Sequence, residues 1–107
     1  MSEQWWGLPG PALDRDGKPI DFWRWGELIG DREYAVIAKD DLDGVYVSTV
    51  WIGLSLALTD PPLIFETMVF DQEGDDVETH RYATEAEARA GHERIVSELR
   101  LLRQAVT

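Results

Sequence analysis

Cysteine is absent from this chain of 107 residues. Disulfides, thiolate zinc sites and cysteine nucleophiles are thereby excluded, and a reducing cytoplasm is the compartment that suits such a composition. Histidine is scarce, with two residues, and no His-rich metal spacing can be built from them. Long apolar runs are missing too. The longest, Val45 to Leu58, is interrupted by Ser48, Thr49 and Ser55 and falls short of the roughly 20 residues that a membrane helix needs. The start, Met1-Ser2-Glu3-Gln4, lacks the basic and apolar stretches of a secretory signal. Neither a glycine-rich phosphate loop nor a Ser-centred elbow occurs. A soluble cytoplasmic protein without a cofactor, metal or membrane partner is expected.

Positive charge is also in short supply. Ten Lys and Arg against 21 Asp and Glu leave a net charge of −11. The excess sits mainly between residues 31 and 83, whereas residues 84–107 hold four carboxylates and four arginines. Such a field repels nucleic-acid backbones and anionic membranes; it favours solubility or a basic partner.

What is present is enough for a core. Apolar residues make up 44% of the chain, a normal globular share, and the length suits one domain spanning 1–107. Residues 1–11, with Trp5-Trp6-Gly7-Leu8-Pro9-Gly10-Pro11, read as an irregular arm. Asp14-Arg15-Asp16-Gly17 is a turn. A calcium loop beginning at Asp14 is rejected, because its twelfth position, which needs a bidentate Glu, is Trp25. Asp21 predicts the cap of a short helix over Phe22–Ile29 that ends at Gly30. Strands are expected from Tyr34 to Lys39, from Val45 onward after an Asp43-Gly44 hairpin turn, from Leu63 to Phe70, and from Val77 to Tyr82. The alternation from Val45 places Tyr46, Ser48, Val50, Ile52, Leu54, Leu56 and Leu58 on one face. Thr84 and Glu87 form a capping box at the start of a C-terminal helix. Ala88, His92, Ile95, Leu99, Leu102 and Val106 then draw one seam along it. The expected fold is α+β: an antiparallel sheet of about four strands, a short N-terminal helix, and one long C-terminal helix packed on the sheet.

Several segments together resemble a family of small proteins encoded by actinobacterial phages and actinobacterial genomes. They are Asp16-Gly17-Lys18-Pro19-Ile20, Val47-Ser48-Thr49-Val50-Trp51-Ile52-Gly53-Leu54, Pro61 to Phe70, Arg81 to Ala88, and Gly91-His92-Glu93. The resemblance runs from Asp16 to about Val96 and implies no particular activity. It implies a phage-type accessory protein, placed in the host cytoplasm if phage-encoded. The family pattern often carries an Asp-His pair after the Trp-Leu-Gly-Leu segment. Here Ser55-Leu56 stands in that place, so no role centred on such a pair carries over.

Three groups of residues stand out as candidate sites. Glu66 and His92 occupy positions where the pattern expects apolar side chains. They are expected to meet as a buried polar anchor, because a bare buried carboxylate costs several kcal/mol. His80, beside Arg81, is expected to face solvent. The second group is the tryptophans: Trp5, Trp6, Trp23, Trp25 and Trp51 are candidate binding residues, since surplus aromatics anchor interfaces. Leu54, Leu56 and Leu58 are a candidate homodimer surface. No catalytic residue is assigned. The expected function is a non-catalytic protein-binding module that acts on a host or phage protein. One alternative is a small hydrolase-like enzyme using Glu66, His92 and a tyrosine such as Tyr82. Another is an acidic nucleic-acid mimic, which is disfavoured because the carboxylates cluster in turns instead of spacing evenly along one face.

Overall fold

In the computed structural model, which describes residues 12–55 and 59–106, two short strands come first. They are β1 (Ala12–Leu13) and β2 (Pro19–Ile20), paired antiparallel across the Asp14–Gly17 turn. The Asp14 carboxylate closes that turn by accepting from the backbone N–H groups of Asp16 and Lys18. Helix α1 (Phe22–Ile29) follows with Asp21 as its cap, whose side chain accepts from the Arg24 N–H. A second, one-turn helix, α2 (Arg32–Ala35), is capped in the same manner by Asp31. This helix takes up Tyr34 and Ala35, which the sequence pattern assigns to a strand. The Asp31 cap competes with extended backbone there and wins.

The main sheet is a four-stranded antiparallel meander in the order β3-β4-β5-β6. Its strands are β3 (Val36–Leu42), β4 (Val45–Trp51), β5 (Phe65–Phe70) and β6 (Asp76–Tyr82). Asp43 and Gly44 both have positive φ, at 54° and 95°, as a two-residue hairpin turn requires. Helix α3 (Glu85–Val106) closes the fold across the sheet. Its capping box forms as the sequence predicts. Thr84 Oγ1 accepts from Glu87 N–H at 3.1 Å, and Glu87 Oε1 accepts from Thr84 N–H at 3.3 Å. The α+β architecture expected above is the architecture observed. Among the described residues, no helix is long and apolar enough to cross a membrane.

Cross-strand register decides which side chains α3 covers. Thr49 pairs with Thr67, Val47 with Val69 and Trp51 with Phe65, and all six are buried. From the helix, Ala88, His92, Ile95 and Val96 are buried against them. The apolar core is accordingly in two parts. Trp51, Phe65, Ile64, Ile37, Leu28, Ala35 and Ala88 form one cluster, and Val47, Val69, Ile95 and Val96 the other. Thr49, Thr67 and His92 lie between them in sequence on each of the three elements. The helical seam loses its cover towards its end, where Leu102 is 63% exposed. Arg103 donates there to the carbonyl of Leu42, the last residue of β3, and to the Asp43 carboxylate.

Two expectations are overturned by this register. Glu66 is on the opposite face of β5 from Phe65, Thr67 and Val69, so the core face is not the one it shares with Met68 and Phe70, while Ile64, just before the strand, is buried in the core. Both faces of that segment are equally apolar in sequence, and a shift of one residue exchanges them. The ladder from Val45 also stops early. β4 ends at Trp51, and Gly53 leaves the strand at φ 75°. A Cβ there would come within 2.6 Å of the Trp51 ring and 2.7 Å of the Trp25 ring. Leu54 is thus a half-buried loop residue rather than part of a strand face, and Leu56 and Leu58 lie outside the described residues.

Candidate functional site

His92 is 1% exposed, and both of its ring nitrogens are used. Nε2 is 2.8 Å from Asp40 Oδ2, and Nδ1 is 2.7 Å from Thr49 Oγ1. The Thr49 hydroxyl is in turn hydrogen-bonded to that of Thr67. With Asp40 ionised, Nε2 carries the proton and donates it. Nδ1 then accepts from the Thr49 hydroxyl, which itself accepts from Thr67. The chain Thr67, Thr49, His92, Asp40 is satisfied in one direction, and aligned bonds of this kind reinforce one another.

The expected pair of Glu66 and His92 does not form. Glu66 Oε2 accepts from Arg81 Nε at 3.0 Å on the other face of the sheet. Asp40, Thr49 and Thr67 are the partners that sequence reasoning missed. Two threonines at inward positions on paired strands, level with a seam histidine, were the available signal. Tyr82, offered as a third member of an enzymatic set, has its hydroxyl buried against Gly91, where an added Cβ would lie 2.1 Å away. The Tyr82 hydroxyl makes no hydrogen bond to Glu66 or His92. Thr49 and Thr67 are both 0% exposed, and this array meets solvent at its Asp40 end, where the side chain is 38% exposed. His80 is half-buried, with Nε2 2.6 Å from Glu78 Oε2. Among the described residues, no three His, Asp or Glu side chains gather in a way that could hold a metal ion.

The tryptophans divide. Trp51 is 0% exposed and donates from Nε1 to the Leu13 carbonyl at 3.0 Å. It is a core residue, which corrects its assignment as a binding residue. Its ring meets Tyr34 edge to face at 5.1 Å. Trp25 is half-buried, with Nε1 donating to the Ile52 carbonyl at 2.9 Å. Trp23 is 87% exposed and Phe22 48% exposed. Trp5 and Trp6 lie outside the described residues. Helical spacing places Phe22 and Trp25 on one side of Gly26, and Trp23 and Glu27 on the other. These five residues line an open hollow of about 590 Å³.

Around the base of α1, an ion-pair network ties the first hairpin to the start of α3. Arg15 Nε and Nη2 donate to the two Glu85 oxygens at 2.8 and 2.7 Å, and Nη1 donates to the Tyr34 carbonyl. The guanidinium also stands 5.3 Å from the Tyr34 ring centroid. The Arg15 hydrogen bond, with a further one from Arg89, holds the Glu85 carboxyl below its ordinary value although partial burial opposes this. The same contact raises Arg15. Comparison with protein-family models, curated proteins and solved structures finds no match to this chain.

Proposed function

We propose that this chain is a non-catalytic protein-binding module, of the phage accessory kind that the sequence resemblance implies, and that it meets its partner through helix α1. The observation that supports this reading is Trp23. A side chain with 87% of its surface in water contributes little to the fold, yet it stands beside a second exposed aromatic, Phe22, on the same helix. Full burial of aromatics this size is worth about 3–5 kcal/mol before the costs of association. Tryptophan is also the residue most often found to dominate an interface. The burial of His92, 1% exposed, argues against the hydrolase-like alternative, since an acid or base must reach its substrate.

Capture from host lysate by the immobilised protein tests the reading, run side by side with Trp23→Ala. The expected outcome is a partner held by the native chain and weakened about 30-fold, or roughly 2 kcal/mol, by the substitution. Equal capture by both would contradict it.

A further inference from the structure

Docking through α1 leaves the chemistry of the partner open, and the hollow itself narrows it. We infer that the space over Gly26 receives a cationic side chain, the guanidinium of an arginine or the ammonium of a lysine, presented by a basic partner segment. This rests on the reading of α1 as the docking face.

Gly26 carries the first argument. It stands in the middle of α1 without a positive φ, and a Cβ built on it meets nothing within 4 Å among the described residues. Neither backbone conformation nor packing asks for glycine there. Glycine is among the poorest helix formers, so the fold would gain from alanine. What its bare backbone does provide is a floor open to a ligand between the flanking rings.

The walls are the second argument. The Phe22 and Trp25 rings stand nearly perpendicular, at 87° with centroids 6.3 Å apart, and Trp23 rises on the far side. Aromatic faces carry partial negative charge and attract cations, and tryptophan does so most strongly. Glu27 adds a full negative charge at the rim. It already pairs with Arg24 at 3.2 Å, but with side chains 58% and 69% exposed that contact is a weak surface pair which an incoming cation displaces readily. Between Asp21 and Ala35 there are four carboxylates and two arginines, within a chain of net charge −11. An anionic ligand would be repelled here, and an uncharged one would leave Glu27 unused.

The test titrates N-acetyl-arginine amide into the full chain and follows the indole N–H resonances by NMR, assigned by single substitutions. N-acetyl-citrulline amide, its uncharged isostere, is the control. The inference predicts saturable shifts at Trp23 and Trp25 but not Trp51, with citrulline at least ten-fold weaker. Glu27→Gln should weaken binding several-fold. Gly26→Ala should abolish the shifts while raising the thermal midpoint by a few degrees, so lost binding cannot be ascribed to unfolding. If arginine and citrulline bind alike and Trp23→Ala abolishes both, the cation assignment falls and the docking face stands. If Gly26→Ala leaves the arginine response intact, the assignment of the hollow is overturned. If neither Trp23→Ala nor Gly26→Ala changes anything, both readings fall.

Discussion

An imidazole that is 1% exposed must satisfy two nitrogens without water, and the fold does this with one acceptor and one donor. In the tautomer with the proton on Nε2, Asp40 accepts from Nε2–H and the Thr49 hydroxyl donates to Nδ1. Thr67 completes the chain from the neighbouring strand. Each such bond contributes about 1 kcal/mol net, but an orphaned buried group costs about 1–3 kcal/mol. Thr49→Val should accordingly destabilise the protein by about 2 kcal/mol, because Nδ1 is left without a donor. Thr67→Val should cost less, about 1 kcal/mol, since Thr49 still reaches the ring. The two act through one chain, so the double variant should lose about 0.5–1 kcal/mol less than the sum. Urea denaturation of the three variants measures this, and strict additivity would show that the hydroxyls are not coupled. Polar residues at one level of β4, β5 and α3 also penalise sliding of the helix over the sheet, since a displaced His92 would face Val47 or Trp51.

Among the elements, α3 and the first hairpin are joined by the pair Arg15 and Glu85, and this pair gives stability a pH dependence. The Glu85 carboxyl is held below its ordinary value in the folded chain. The unfolded chain therefore binds a proton first as pH falls. The contribution is present in full above the ordinary Glu value near about 4.3 and is lost below it, as pH falls through the lowered folded value. With the two side chains 24% and 27% exposed, screening keeps it modest, about 1 kcal/mol. Glu85→Gln should be less stable than the native chain at pH 7, and the gap should close below about pH 4. A gap that stays constant from pH 7 to pH 3 would exclude this linkage.

At the scale of the whole molecule, local signals were the legible ones. The Asp21 cap, the Asp43-Gly44 turn and the Thr84–Glu87 box each act within four residues, and each is where the sequence places it. The side of β5 that faces the helix was not legible. Met68 and Phe70 compete with Phe65, Thr67 and Val69, and only pairing with β4 chooses between them. That one ambiguity misplaced Glu66 and hid the partners of His92. The tryptophans divided for a similar reason. Trp51 and Trp23 look alike as sequence, and burial separates them through the strand alternation that turns Trp51 inward.

The account as a whole depends on α1 keeping aromatic surface that the fold does not use. Equilibrium urea unfolding of Trp23→Ser tests this most directly. The expected result is a midpoint and slope unchanged from the native chain, within about 0.5 kcal/mol, as for an exposed position outside the core. A loss above about 1.5 kcal/mol would show that Trp23 supports the fold, and would contradict the assignment of this face to a partner.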